Sequence, residues 1–557
     1  MKKIIKIIIL ISATSLSTLL SQNAYFGLKY AEKILSVDDG LGPLHLKEGN
    51  QIRLGELIHS RLWRYNHRLQ LEPDILASLP VDDVQNGKEA LLCELKNDLQ
   101  WSDGRPITIE DIVFTIDFYK KNSRQGSKIF SIVSETTVKP IDEKSFYLMS
   151  GVKNFHYLAR MNFPLIQIMP KHVVGSINFY RDDKIWEKPV SSGPFLIDEI
   201  EKDGQARTVY LERNKYSQER PDNWEIQNVI AVSEPSFQPV IDAMMVENKL
   251  SYDNSLKSQP HRGYDLLFQG VRSRSVVNTL NNKTHIRRQQ YVHNSWVGII
   301  FNHDRPFINS VDFRKSFDEA IDDTSLISTY YPRGGAIDLT GPFNPFLGVT
   351  EQIEDRRTND PQTVLEQFLS QGFEYNKDKN ILNWIDPSSG ERTSIELTLI
   401  YNKKFAELGT PEKNVIDNIK ETFREDYGIK INTDGLSSVN FLKRLKERNK
   451  WDLALLEFNF GWSGNVTPIF KQGSRSNIAK YKSNILENDL DLLLSAKNSN
   501  QRAEIIKRIH RYCHENLPYL FLWHVRPVVY YRDIIQDPTF TPQYFFTTMG
   551  RWGIKPR

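Results

Sequence analysis

Residues 91–119 constrain the fold more than any other stretch, because a strand pattern, a turn and a capped helix follow one another there without a gap. Residues 91–99 read as a strand, and Trp101-Ser102-Asp103-Gly104 carries turn chemistry. Thr108 then stands where a helix N-cap belongs, with Asp111 three positions on, a variant of the capping box. Ile112, Ile116 and Tyr119 share one face of the helix that follows. The same grammar recurs later in the chain. Residues 297–301 are continuously apolar, Arg305-Pro306 makes a turn, and Phe313, Phe317, Ala320 and Ile321 then recur at helical spacing, which buries one stripe. Ile506, Ile509 and Cys513 mark a helix that stops near Pro518, before a buried strand over 519–523. Strand and helix patterns interleave from end to end, and no heptad run, low-complexity tract or short repeat interrupts them. An α/β class follows.

A chain of 557 residues is too long for a single core and should divide into two to four domains. Its first residues point to export. Lys2, Lys3 and Lys6 stand at the start of an apolar run over 4–20 that is otherwise broken only by Ser and Thr, the layout of a signal peptide, with cleavage expected after Ala24. No Cys lies near that segment, so the expectation is a periplasmic protein without a lipid anchor. Removing the segment takes away three lysines and no acid, which brings the formal charge from +3 to zero. A neutral total argues against nucleic-acid binding, which needs a concentrated basic face. Cys93 and Cys513 are the only cysteines and read as two buried free thiols in preference to a disulfide.

No catalytic arrangement emerges. The phosphate-binding and dinucleotide glycine patterns are absent. His510 and His514 are four apart, but the residue after His510 is Arg511 where a zinc protease needs Glu, and the pair reads as part of a partly exposed helix face. Gly461-Trp462-Ser463-Gly464 fails as a nucleophile elbow by one position, since Asn465 follows the second Gly. No cysteine pair has zinc-ligand spacing. The expectation is therefore no enzyme, no metal and no cofactor.

Several segments, read in order, resemble the extracytoplasmic solute-binding proteins of family 5, which includes oligopeptide-, dipeptide- and nickel-binding proteins of ABC importers. The most specific is residues 95–114, with Trp101-Ser102-Asp103-Gly104, Thr108 and Glu110-Asp111. Met169-Pro170-Lys171-His172, Ser192-Gly193-Pro194-Phe195, Leu211-Glu212-Arg213-Asn214, Asn302 with Pro306-Phe307, Ala320-Ile321-Asp322, Asp452 and Leu517-Pro518-Tyr519 follow in the family's order.

The resemblance implies a two-lobed periplasmic binding protein of type 2 with a three-domain, class C arrangement and a ligand cleft between lobes. By analogy, residues 1–24 form the signal peptide, and domain I is assembled from 25–60, 188–288 and 515–557. Domain II is 61–187 and domain III is 289–514. Trp101, Asp103 and Asp111 then read as architectural. The implied function is capture of a peptide or peptide-like solute by a monomer that delivers it to importer permeases, without nucleic acid. The family's peptide binders use a carboxylate after the strand near Asp452 to pair with the ligand's amino group; here residues 457–467 contain no Asp, and Glu457 or Asn465 stands in its place. A buried ammonium without a carboxylate is costly, so a metal chelate, opine or oligosaccharide is the alternative ligand. An exported hydrolase or a chaperone-like protein is the alternative of another class. The expected ligand segment combines Phe460 and Trp462 as stacking area with Gly461 and Gly464 for close backbone approach, and Ser463 and Asn465 belong to the same candidate set. Asn302 and Arg333 are further candidates.

Overall fold

The computed structural model describes residues 26–554 except 33–34, 36, 38–40, 43–48, 67–69, 124, 126, 177–183, 205, 218–225, 237, 247–262, 268–273, 292–294, 332–333, 346–352, 354–359, 408–409, 461–464, 497–498, 541–544 and 547. The expected signal peptide lies outside the described residues. The chain forms two compact units, one of residues Met1–Tyr291 with Val528–Arg557, the other of Val292–Pro527.

In the first unit a mixed seven-stranded sheet runs in the order Ile286–Gln290, Val528–Arg532, Leu266–Leu267, Phe26–Glu32, Ile226–Ser233, Ala206–Arg213, Phe195–Asp203. Phe26–Glu32 is parallel to Ile226–Ser233, and the C-terminal strand Val528–Arg532 is inserted between strands that precede it by more than two hundred residues. A second, antiparallel sheet joins Val81–Gln85, Lys88–Glu94, Ser145–Ser150 and Thr137–Pro140. Its first hairpin turns at Asn86-Gly87, both with positive φ (52° and 74°), as a two-residue turn between twisted strands requires. Leu91, Cys93, Phe146 and Leu148 of this sheet form one core with Ile112, Ile116 and Tyr119 of the helix Ile109–Asn122, the stripe expected from the sequence. The larger sheet has its own core, which includes Leu28, Tyr30, Val209, Leu211 and Phe546.

The helix Gly49–Ile58 is tied to the larger sheet by a buried bidentate pair, Arg53 Nε and Nη2 donating to Glu32 at 2.6 and 2.8 Å. One turn on, the Glu56 carboxyl accepts from the Phe546 amide at 3.4 Å while its other oxygen is shielded from solvent and has no hydrogen-bond donor among the described residues. Burial pushes the Glu56 carboxyl up to about 8, against the opposing pull of Arg61, Arg53 and Arg64. His59 lines the same small cavity, of about 30 Å³, and donates from Nε2 to the Leu41 carbonyl at 2.8 Å. Burial brings its pKa down to about 4.

The second unit is built on a six-stranded sheet in the order Ala336–Asp338, Tyr519–Val525, Ser295–Phe301, Leu453–Asn459, Glu396–Asn402, Lys430–Leu436. Ser295–Phe301 is buried at every position, as an apolar strand covered on both faces should be. Val297, Ile299 and Phe301 face one core, which also holds Phe313, Phe317, Ala320 and Ile321; Trp296 and Ile300 face the other, with Ile506, Ile509 and Cys513. Gly298 is required by that packing, since a Cβ there would lie 2.5 Å from the Leu520 carbonyl and 2.6 Å from the Trp296 ring. Tyr519–Val525 pairs with both Ser295–Phe301 and Ala336–Asp338. The chain therefore returns to the first unit at Val528.

Candidate functional site

The expected ligand segment leaves the end of Leu453–Asn459, and the alternation of that strand decides where its neighbours point. Leu453 and Leu455 enter one core, Ala454 and Phe458 the other. The period of two puts Glu457 on the first face, opposite Val297, and Phe460 on the second. Glu457 is half-buried, and its carboxylate makes no hydrogen bond or ion pair among the described residues. Phe460 lies parallel to Phe458, with centroids 6.3 Å apart, and 5.9 Å from the Trp296 ring. At least one face of Phe460 thus belongs to the core. Asn465 accepts from the Thr467 amide at 3.0 Å, an Asx turn that leads into the short helix Thr467–Phe470. Gly461, Trp462, Ser463 and Arg333 lie outside the described residues.

Asn302 is not brought to this segment. It follows Phe301, which pairs with Leu453, whereas Phe460 follows the Ser295–Asn459 end of the same ladder. Six residues of strand put these ends about 20 Å apart. Asn302 is fully buried, and Nδ2 donates to the carbonyls of Arg448 and Trp451, both at 2.7 Å, while Oδ1 accepts from the Asp304 amide at 3.2 Å. Asp452, beside it, accepts from the Thr398 amide at 2.7 Å and pairs with Arg305 at 2.7 Å. Both side chains are occupied in joining strands to loops.

The Trp-Ser-Asp-Gly motif is likewise architectural. Trp101 is buried and its indole donates to Asp111 at 3.3 Å; Asp111 also accepts from the amides of Thr108 (3.0 Å) and Lys171 (2.8 Å). Asp103 pairs with His172 at 2.8 Å, so the motif and the Met169-Pro170-Lys171-His172 segment form one junction. Ser102 and Ser191 exchange backbone and hydroxyl bonds at 2.8 and 2.9 Å, which brings in the Gly193 segment, where a Cβ would meet the Leu57 carbonyl at 2.7 Å. His510 departs from expectation. It is buried, with its ring over Gly341 and Nε2 within 3.2 Å of the Thr340 hydroxyl, and His514 reaches the Thr340 carbonyl at 3.1 Å. The pair clamps a loop to the helix Ser499–Asn516, a partner too distant in sequence to be foreseen.

Cys93 and Cys513 are free and buried in the cores of different units. Among the described residues no three His, Cys, Asp or Glu side chains gather as a metal site, and no helix is long and apolar enough to cross a membrane. A cavity of about 730 Å³ lies in the second unit, between residues 442–448 and 472–482. Sequence reasoning passed over it, because nothing in either stretch signals that the other will face it.

Residues 70–478 match the family model described as bacterial extracellular solute-binding proteins, family 5. A Brucella melitensis protein named for a binding role is 26% identical over 203 residues, 34% of this chain. That match spans 30% of the relative's length. Among solved structures, the oligopeptide-binding protein AppA of Bacillus subtilis, in complex with a nonapeptide, is 16% identical with a TM-score of 0.65, over 95% of this chain and 99% of that one. NikA of Brucella suis, in complex with Fe(III)-EDTA, is 14% identical with a TM-score of 0.75, over 95% of this chain and all of the other. CtaP of Listeria monocytogenes, described as an ABC transporter substrate-binding protein, gives 16% and 0.72 over 96% and 100%. With its mixed α/β architecture, its two compact units and a family match that runs through both of them, this chain belongs to family 5 of the bacterial extracellular solute-binding proteins.

Proposed function

We propose that the protein captures a peptide or peptide-like solute in the periplasm, as a monomer without a lipid anchor, and hands it to the permease subunits of an ABC importer. The observation that carries this reading is the family match over residues 70–478, since members of the family are binding proteins of transport systems. In such a protein the solute stabilises a closed state only through contacts made in that state. The segment following Asn459 is the proposed ligand contact, with Trp462 and one face of Phe460 as stacking surface, Gly461 and Gly464 for backbone approach, Ser463 beside them, and Arg333 as a cationic contact. Glu457 supports a role in pairing with a ligand ammonium: its carboxylate, half-buried at the same end of the sheet, is uncommitted among the described residues. Asn302 and Asn465 are left out, because their side chains are engaged in the fold.

A second reading, the same role for a metal chelate, opine or oligosaccharide, is favoured by the lack of Asp in residues 457–467. Native mass spectrometry of protein purified from the periplasm tests both. A retained mass that fragments as a peptide, with calorimetric affinity for that peptide at micromolar level or tighter, supports the first; a chelate or sugar mass supports the second. Turnover of the solute, abolished by Ser463→Ala in a protein that still folds, would overturn both.

A further inference from the structure

The cavity in the second unit has a composition that none of the foregoing uses. Its floor and lip are apolar, formed by Leu442, Leu445, Ile478 and Tyr481. Around them stand Lys446, Arg475, Lys480 and Lys482, and no carboxylate lines the space. These four cations are exposed, and none is in a salt bridge among the described residues. The neighbouring charges are otherwise engaged. Arg448 donates to Asp304 at 2.8 Å and to the carbonyls of Ile478 and Ala479, and Lys471 is paired with Glu487 and Asp491. Asp304, the carboxylate that also feels Lys480, is held below its ordinary range by Arg448.

The apolar part is unusually open. Val439 is 78% and Leu442 62% exposed, and with Lys446 they occupy positions i, i+3 and i+7, one stripe running from the helix Ser438–Arg444 to the cavity's edge. Single exposed apolar residues are ordinary, but a contiguous stripe leading into a cavity of this size is the form of a ligand site. The cavity walls are set by built features: buried Asn477 donates to the carbonyls of Phe470 and Tyr481 at 3.2 and 3.1 Å, and Tyr481 bonds Tyr512 hydroxyl to hydroxyl at 3.0 Å. Arg448 lies just before the Leu453 end of the strand Leu453–Asn459, about 20 Å along the ladder from the segment proposed for solute.

The geometry points to a second ligand site in this cavity, for a single-chain anionic amphiphile: a carboxylate head among Lys446, Arg475, Lys480 and Lys482, and an alkyl tail along Leu442, Leu445 and Ile478. Isothermal calorimetry on the full chain with dodecanoate, below its micellar concentration, tests it. Saturable 1:1 binding is expected, tightening about 3- to 4-fold for each methylene added from octanoate to dodecanoate. Butyrate, which has the head without the tail, and dodecyltrimethylammonium, which has the tail with the opposite charge, should each bind at least about 10-fold more weakly. Lys446→Glu with Lys482→Glu, both at exposed positions, should cost at least about 10-fold in dodecanoate affinity at unchanged circular dichroism. Unchanged affinity in that double variant, or equal binding of the cationic amphiphile, overturns the assignment. Binding to phosphatidylglycerol vesicles with none to free dodecanoate also overturns it, in favour of membrane docking.

Discussion

Asn302 offers the sharpest separation between a residue that holds the fold and one that holds a ligand. Replacing it with Ala removes two donors and one acceptor at once. The Trp451 and Arg448 carbonyls lose bonds of 2.7 Å each, and the Asp304 amide loses its acceptor at 3.2 Å. A buried polar group left without a partner costs about 1–3 kcal/mol; the Trp451 bond is buried and the Arg448 bond partly so, and the loss should be about 2–4 kcal/mol. Asn302→Asp should be worse, since it turns a carboxylate toward two carbonyl oxygens. Urea unfolding of the solute-free protein, followed by near-ultraviolet circular dichroism, measures the loss. Calorimetry with the solute that co-purifies measures affinity, which should stay within about 3-fold of the parent because the residue sits at the far end of the strand from Phe460. A variant that keeps its stability within about 0.5 kcal/mol and loses affinity 10-fold would refute the reasoning.

Trp462→Ala should do the reverse, weakening solute binding about 5- to 150-fold by removing an aromatic contact of about 1–3 kcal/mol. A stability loss of about 3–5 kcal/mol with unchanged affinity would instead make Trp462 a core residue. Glu56 carries a pH signature. Its folded pKa of about 8 lies above the ordinary 4.5, so the stability it allows is complete below pH 4.5 and is lost as pH rises through 8. Glu56→Gln should therefore unfold at the same temperature as the parent near pH 4.5 and be more stable at pH 9, by up to about 5 kcal/mol at 1.4 kcal/mol per unit, less to the extent that the Glu56 stem meets solvent. Thermal unfolding at the two pH values checks this, and a gap that does not grow with pH would contradict it. His59 titrates on the acid side, its contribution being lost as pH falls from 6.5 through 4, and affects both proteins alike.

What the sequence made legible was local. The strand, turn and capped helix over 91–119, the stripe Phe313, Phe317, Ala320 and Ile321, and the helix-to-strand passage at Pro518 all follow from chemistry within one or two turns of chain. What it hid was the identity of distant partners. Arg314 is buried, and its guanidinium is filled by the carbonyls of Leu517, Ile308, Asn309 and Asn516, two of them more than 200 residues away. Asn302 was a further candidate, and its acceptors 146 and 149 positions on gave no sign in its own neighbourhood. Phe460 was legible as aromatic area but not as area already half spent on Phe458 and Trp296. The candidate site itself rests on family order at residues 461–464, where local composition supplies glycine and tryptophan.

The place of Val528–Arg532 in the larger sheet has a consequence for how the molecule is made. Residues Val292–Pro527 are contiguous and contain every strand of their own sheet, so that unit can assemble as soon as it is synthesised. The first unit cannot, because its sheet has an empty lane between Ile286–Gln290 and Leu266–Leu267 until Val528–Arg532 arrives. The unit that holds Phe26–Glu32 thus completes its sheet only after the whole of the unit that follows it has emerged, against the usual N-terminal-first order. A message truncated after codon 527 would yield one finished lobe joined to one with two unpaired strand edges, a product that invites aggregation.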